Sequence, residues 1–274
     1  MARISWNAPV RLPIFHVDAF TDRIFSGNPA AVVILDSWPE DALLQAIAAE
    51  NNLSETAFVR ADGDVLELRW FTPRIEVPLC GHATLATAFV LRTLSGIGRD
   101  PMIFSTRSGL LAVRESGGLF TLDFPALAVM PDDSERPAIS RALGVGPREI
   151  HAARDRYLCV LEDAAAVCTL TPDHAALARL RLSGLMVTAP LAAGDDDFVS
   201  RYFAPAKGVP EDPVTGAAHC ALAPFWAQRL GKTRLTGFQA SARGGRVICE
   251  VAGDRVLLTG AARLYMQGVI VIDA

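Results

Sequence analysis

Short apolar runs separated by turn residues dominate the first third of the chain. They predict strands over residues 14–20, 30–35, 53–60 and 65–71. The first two strands are joined by the turn segment Ser26-Gly27-Asn28-Pro29, and the last two by a hairpin turn at residues 62–64. A single helix is predicted from Ser37 to about Glu50, opened by a capping box that pairs Ser37 with Glu40. The pattern therefore indicates a strand-rich architecture.

The pattern then repeats itself. Residues 70–73 (Trp-Phe-Thr-Pro) are echoed by residues 202–205 (Tyr-Phe-Ala-Pro), and each stretch is followed by a glycine that opens an apolar helix, Gly81 or Gly216. A segment that begins with phenylalanine and leads into a strand follows each glycine at nearly the same distance. Two copies at such a long period indicate a duplicated lobe and not a solenoid.

Both repeated helices are apolar nearly all round, as residues 83–91 show, so each must be buried on all sides. The simplest arrangement is an α+β fold of two pseudo-symmetric lobes, each a curved, mainly antiparallel sheet around one central helix. We place the lobes at residues 1–128 and 129–274, with a join rich in proline and acids at 126–137 and a last strand able to pack on the N-terminal lobe. Pro224 is expected to kink the second helix or to end its first part.

Composition excludes several classes of protein. The chain has 274 residues, a formal net charge of −4 and a pI near 5.7, with no basic stripe for nucleic acid. Its apolar runs are too short to cross a membrane, and residues 1–13 lack the apolar core of a secretory signal. The five cysteines form no C-x-x-C pair, which fits a reducing cytoplasm and predicts neither disulfides nor a zinc site. We find no motif for an organic cofactor, and we predict none.

Chemistry is concentrated where the two apolar helices begin. The first start reads Cys80-Gly81, and the second reads Thr215-Gly216-Ala217. Glycine lets a ligand approach the backbone, and the free N–H groups of a helix start bind anions. A pseudo-two-fold axis that brings both starts to one cleft would let them hold a carboxylate. They would also stabilise the enolate-like charge that forms when a proton leaves the neighbouring carbon.

A proton shift also needs an acid–base group, and four side chains are candidates. Glu55 lies between apolar residues where a helix passes into a strand, so its carboxyl is either a partly desolvated general base or a solvent-facing strand residue. Asp212 is either part of the site or a turn aspartate. His82 is a neutral donor whose pKa the helix start lowers, or a packed interface residue. Cys80 is either a low-pKa thiolate or a small buried filler.

Five segments together resemble the PhzF-like phenazine-biosynthesis family, and they occur along nearly the whole chain: residues 15–20, 26–29, 52–56, 78–84 and 211–219. The resemblance implies two lobes of the diaminopimelate-epimerase type, each a β half-barrel around a central helix, with a cleft between them and usually a homodimer. It also implies isomerisation of a substrate such as trans-2,3-dihydro-3-hydroxyanthranilate without a cofactor.

The resemblance assigns roles by position. Glu55 becomes the proton carrier, and His82 and Asp212 become substrate-binding or proton-relay groups. The expected substrate-binding residues are Asn28, Cys80, Gly81, Thr215, Gly216 and Ala217.

Two other functions stay open. Diaminopimelate epimerases carry a cysteine at each helix start, whereas here the second start has none and Cys220 lies a turn too late. A two-thiol racemase is therefore disfavoured against a one-carboxylate isomerase. An amino-acid epimerase that pairs Cys80 with a non-thiol acid is one alternative. The other is a non-catalytic protein that binds small acids or another protein.

Overall fold

The computed structural model of the chain describes residues 10–61, 65–97 and 99–272, so the predicted turn at 62–64 and the segment 1–9 lie outside it. The strands of the described part are β1 (Val10–Ala19), β2 (Asn28–Leu35), β3 (Glu55–Arg60), β4 (Leu66–Phe71), β5 (Glu76–Val77), β6 (Met102–Thr106), β7 (Gly109–Ser116), β8 (Leu119–Pro125), β9 (Met130–Pro131), β10 (Glu149–Ala153), β11 (Arg156–Val160), β12 (Gly184–Pro190), β13 (Phe198–Ala204), β14 (Val209–Asp212), β15 (Arg234–Gln239), β16 (Gly245–Ala252), β17 (Arg255–Gly260) and β18 (Ala262–Ile272). The helices are α1 (Asp41–Asn51), α2 (Gly81–Thr93), α3 (Arg136–Leu143), α4 (Ala164–Cys168), α5 (His174–Leu177) and α6 (Gly216–Leu230), with a 3₁₀ turn at Pro205–Lys207. None of the helices in these ranges combines the length and the apolar character needed to cross a membrane.

The two halves of the chain pair their strands in the same order. In the first half, β2 and β3 are parallel, β3 and β4 antiparallel, β4 and β6 parallel, and β6, β7 and β8 antiparallel in succession. In the second half, the same alternation runs through β11, β12, β13, β15, β16 and β17. The sheet is mainly antiparallel, and the predicted α+β duplicated fold is confirmed.

One continuous sheet joins the halves. β8 of the first half pairs antiparallel with β17 of the second, where the hydroxyls of Thr121 and Thr259 lie 2.8 Å apart. Two further strands cross between the lobes. β9, which follows β8, pairs with β10 of the second half, and the last strand, β18, which follows β17, pairs with β1 of the first half. The C-terminal strand therefore completes the N-terminal lobe.

The central helices are buried, as their apolar surfaces require. Nine of the thirteen residues of α2 are buried, and the helix packs into a core built from strands of both halves. In contrast, α1 covers the outer face of the first lobe with one apolar side. The predicted capping box is wrong, because α1 begins at Asp41, its N-cap residue is Glu40, and no side chain caps it. Ser37 lies too far ahead of the first turn to reach its amides.

Pro224 lies inside α6, which runs unbroken from Gly216 to Leu230, so the expectation that it ends the first part of the helix is wrong. A proline has no N–H, and the carbonyl of Cys220 one turn earlier therefore lacks its helical donor. The backbone N–H of Leu127 donates to that carbonyl at 2.9 Å. Pro224 thus frees a carbonyl on the central helix of the second lobe, and the segment that joins the two lobes is hydrogen-bonded to it.

An ion pair is duplicated along with the strands. Arg69 makes two hydrogen bonds of 2.8 Å with Glu76, and Arg201 makes two of 2.7 and 2.9 Å with Glu211. Each pair ties the short strand before a central helix, β5 or β14, to the long strand beside it. Arg201 also donates to the carbonyl of Leu170 at 2.6 Å. These arginines therefore set the path of the chain into each helix start.

We expect Arg201→Ala to lower the free energy of unfolding by about 3 kcal/mol, because it leaves the half-buried Glu211 carboxylate without its counter-charge. Urea denaturation followed by circular dichroism measures this loss. The matched control is Arg148→Ala, which removes an exposed ion pair with Glu162 and should leave the midpoint nearly unchanged. Equal effects of the two substitutions would contradict the structural role of Arg201.

Candidate active site

The starts of α2 and α6 meet in the middle of the molecule. A methyl group added to Gly81 would lie 3.9 Å from the Cα atom of Gly216, and the reverse distance is the same. The N-cap residues are Cys80 and Thr215, and neither helix has a side chain capping its first turn. Ala217, at the start of α6, is exposed. The structure therefore brings together two helix starts whose amides are left to a ligand.

The loops that lead into these helices are held in the same way in both halves. The Ser108 hydroxyl donates to the carbonyl of Pro78 at 2.7 Å, and the Ser241 hydroxyl donates to the carbonyl of Pro213 at 2.8 Å. Each serine lies in the phenylalanine-led segment that the sequence repeat contains. The repeat therefore marks not only a strand but also the anchor of each helix start.

The residue one turn inside each helix binds back to the N-cap carbonyl. Thr84 Oγ1 donates to the Cys80 carbonyl at 2.6 Å, and the ring of His219 contacts the Thr215 carbonyl through Nδ1 at 2.8 Å. These equivalent contacts align Cys80 with Thr215. The second helix start therefore carries a hydroxyl where the first carries a thiol.

Glu55, His82 and Cys80 lie together at the first helix start. Glu55 is the first residue of β3, and its side chain is 19% exposed. Its Oε2 atom lies 3.1 Å from Nε2 of His82, and the other ring nitrogen of His82 lies 3.5 Å from Sγ of Cys80. The imidazole thus contacts a partly exposed carboxyl through one nitrogen and a buried thiol through the other.

The charge state of this cluster differs from the sequence expectation. Burial acts to lower the pKa of His82, but the Cys80 sulfur and the Glu55 carboxylate raise it, and the balance lies well above the ordinary value. The predicted lowering by the helix start is therefore wrong, because the adjacent acidic groups outweigh it. Burial, reinforced by the charge of Glu55, raises the pKa of Cys80 to about 11, so the low-pKa thiolate is contradicted and the buried thiol is favoured.

Asn28 connects this cluster to the second lobe. Its Nδ2 atom lies 2.8 Å from Oδ1 of Asp212, 2.8 Å from the carbonyl of Val214 and 3.2 Å from Nδ1 of His82. An amide has two protons, so the two shorter contacts use both of them. Asn28 is fully buried, and its Oδ1 atom has no hydrogen-bond partner among the described residues. It therefore holds Asp212 beside His82 from the opposite lobe.

Asp212 ends β14, four residues before Gly216, and so reaches the same point from the second lobe. Burial raises the pKa of Asp212, while nearby His82 and the hydrogen bonds from Thr215 and Asn28 oppose the shift. Its Oδ2 atom accepts the Thr215 hydroxyl at 2.5 Å. The structure thus gathers all three predicted catalytic residues within one hydrogen-bonded network across the lobes.

Comparison with known proteins identifies the family. The sequence profile of the family described as "Phenazine biosynthesis-like protein" matches residues 17–268. The chain belongs to the PhzF-like family. An uncharacterized isomerase of Pseudomonas aeruginosa is 52% identical over 263 residues, which cover 95% of this chain and 99% of that protein.

Solved structures give the same result. A PhzF-family phenazine biosynthesis protein of Enterococcus faecalis superposes with a TM-score of 0.90 at 43% identity, covering 95% of this chain and 99% of the other. A predicted epimerase of Pseudomonas aeruginosa has a TM-score of 0.73 at 20% identity, over 94% and 99% of the two chains, which shows the fold alone. The chain is thus a PhzF-like isomerase-family member with an epimerase-related fold.

Sequence analysis did not identify two residues that hold the PhzF-like site in place. Gln239 is fully buried, accepts the backbone N–H of Thr215 at 2.8 Å and donates to the Asp212 carbonyl at 2.7 Å. Arg243 reaches across to the first lobe, where it donates to Asp18 at 2.6 Å and to the Gly27 carbonyl at 2.9 Å. Both lie in the repeated phenylalanine-led segment, and that repeat was the sequence feature that could have pointed to them. Only the fold shows what they contact.

A broad groove of about 730 Å³ lies apart from this site. Thr21, Arg23, Asp196, Phe238 and Arg246 are among the residues that line it, and none of the three catalytic candidates is. The groove is therefore separate from the contact between the helix starts.

His219 is a structural residue of the second helix. Burial lowers its pKa to about 4, against the opposing effect of its hydrogen bond with Thr215. A histidine whose folded pKa is depressed contributes stability that is present above the unfolded pKa of about 6.5 and is lost as the pH falls towards 4. His219 therefore destabilises the folded protein in mild acid.

We expect His219→Asn to show this linkage, because asparagine keeps an amide donor near the Thr215 carbonyl but does not titrate. The difference in the free energy of unfolding between the wild type and the variant should become roughly 2 kcal/mol less favourable to the wild type when the pH falls from 7 to 5. Urea denaturation at both pH values measures the difference, and effects common to both proteins cancel. A difference in unfolding free energy that is the same at both pH values would show that His219 does not titrate in this way.

Proposed function

We propose that this chain is a cofactor-independent isomerase that shifts a proton on a small carboxylate of the trans-2,3-dihydro-3-hydroxyanthranilate type, with Glu55 as general acid and base. The observation that carries the proposal is the position of the Glu55 carboxyl. It is partly exposed, lies 3.1 Å from His82 and stands beside two uncapped helix starts.

The helix starts supply the binding energy for an acid. The first-turn amides at Gly81 and Gly216 carry the positive end of each helix dipole, and the two glycines leave the backbone open to a ligand. A substrate carboxylate held there also places its neighbouring carbon near Glu55. As the proton leaves that carbon, the negative charge that develops on the substrate moves towards the same amides, which stabilise the transition state more than the ground state.

Glu55 then returns the proton to another carbon on the same face. His82 orients the Glu55 carboxyl through its Nε2 atom, and Asn28 couples His82 to Asp212. Asp212, with its raised pKa, is suited to share a proton with the substrate or with the network. The proton is taken and given back by one carboxyl, so the reaction needs no external acid, oxidant or metal.

A thiol-based epimerase is less well supported. Such a mechanism needs an acid–base group on each face of one carbon, and the residue aligned with Cys80 in the second lobe is Thr215. The thiol of Cys80 is also buried, and its raised pKa of about 11 makes it a poor base at neutral pH. The carboxyl of Glu55 is the better proton carrier.

We expect Glu55→Gln to lower turnover of trans-2,3-dihydro-3-hydroxyanthranilate by at least about 10³-fold while the fold is kept, because glutamine cannot carry the proton. NMR in D₂O follows both product formation and deuterium incorporation. The matched control is Glu50→Gln, an exposed glutamate on α1, which should turn over like the wild type. Unchanged turnover in Glu55→Gln would refute the role of Glu55.

We expect Cys80→Ser to retain turnover within roughly tenfold, since serine fills nearly the same volume and the thiol is not the proton carrier. The same NMR assay, extended to proline and other small amino acids, separates the two chemistries. Loss of deuterium incorporation at an amino-acid stereocentre in Cys80→Ser, with Glu55→Gln still active, would favour the epimerase instead.

A further inference from the structure

We propose that Glu55, Cys80 and His82 bind a zinc ion, which inhibits the enzyme by occupying the proton carrier. One ligand atom from each residue lies within 4.8 Å of those of the other two, and this is the one such grouping of His, Cys, Asp and Glu within the described ranges. Inhibition rests on the proposed function, whereas binding of the ion does not. The ion acts as an inhibitory ligand and not as a cofactor.

The donor set suits zinc. A thiolate, an imidazole and a carboxylate are its usual protein ligands, and three of them leave a fourth position for water or substrate. With ordinary Zn–S and Zn–N distances, ligand atoms around a tetrahedral ion lie roughly 3.5 Å apart. Here the Cys80 sulfur lies 3.5 Å from Nδ1 of His82, and Oε2 of Glu55 lies 3.1 Å from Nε2 of the same ring. One ion binds only one of the two nitrogens, so side-chain rotations have to bring that nitrogen, the sulfur and a carboxylate oxygen, which lie within 4.8 Å of one another, around the ion.

Two buried atoms at this place contact each other without a hydrogen bond to any described group. Oε2 of Glu55 and Nε2 of His82 lie 3.1 Å apart as an ion pair. His82 as a residue is only 6% exposed. Buried polar atoms without a hydrogen bond are costly, and a bound cation would coordinate the nitrogen and the carboxylate in place of the ring proton.

The neighbouring structure holds two of the three donors in place. Thr84 donates to the carbonyl of Cys80 at 2.6 Å, and the amide of Asn28 contacts Nδ1 of His82, the nitrogen nearest the Cys80 sulfur, at 3.2 Å. Glu55 is the most exposed of the three and offers the way in. A thiol that coordinates a metal releases its proton to solvent because the ion stabilises the thiolate, so the burial that keeps free Cys80 protonated is overcome when the ion binds.

The same geometry makes the ion an inhibitor. A metal bound to the Glu55 carboxylate uses the lone pair that would take a substrate proton. The ion also lies beside the two helix starts and occupies space that the bound substrate would use. Zinc should therefore raise the apparent KM for the substrate.

Cobalt(II) chloride tests the site, since Co²⁺ takes zinc sites and gives a thiolate-to-metal charge-transfer band. The protein used is the full chain carrying Cys168→Ser, which removes the exposed cysteine and with it a site of adventitious binding. We expect a one-to-one charge-transfer band that zinc abolishes. Adding Cys80→Ser should remove the band, and adding Glu55→Gln should weaken binding at least tenfold.

Other outcomes overturn the proposal. No band at all, or a band that survives in both Cys80→Ser and Cys80→Ala, would place the ion elsewhere. Zinc that binds at Cys80 without raising the apparent KM would remove the inhibitory role. If Glu55→Gln kept its turnover while Cys80→Ser still removed the band, the proposed isomerase mechanism would fail and the metal site would stand.

Discussion

The contact between Gly81 and Gly216 is the constraint on which the rest of the structure depends. Two helix starts carry the same sign of dipole, so bringing them together is electrostatically unfavourable unless something negative lies between or beside them. Glu55 and Asp212 supply acidic groups at this point, one from each lobe. A methyl group at either glycine would make ordinary contacts of 3.6 to 3.9 Å, so only a larger side chain would fill the space that the backbone amides open to a ligand.

Duplication provides the scaffold, and divergence provides the chemistry. The anchoring contacts of Ser108 and Ser241, like the two arginine–glutamate pairs, occur in both lobes because each lobe must hold its own helix start. The functional side chains do not repeat. Cys80 aligns with Thr215, and the histidine of the site belongs to the first lobe only. A symmetric fold thus presents one asymmetric cluster, which suits a reaction with one proton carrier.

The sequence predicts the outline well for a physical reason. Helices that are apolar all round can only be buried, and a twofold repeat of glycine-led helices places them equivalently, so the lobes and the mainly antiparallel sheet follow. Contacts between distant segments do not follow. The Arg243–Asp18 pair and the Leu127 contact with the carbonyl freed by Pro224 join residues whose spacing carries no periodic signal.

The pKa of His82 shows the same limit in the site itself. The positive end of a helix dipole favours a neutral imidazole, and this local effect is the one that the sequence predicts. Glu55 is the first residue of β3 and lies far from α2 along the chain. Only the fold brings its carboxyl next to His82. The Cys80 sulfur at 3.5 Å and the Glu55 carboxyl at 3.1 Å raise the pKa of His82 against the effect of burial, because Coulomb interactions strengthen where water is excluded. Local rules therefore pick out the candidate residues, while their charge states also depend on partners such as Glu55 that only tertiary structure brings near.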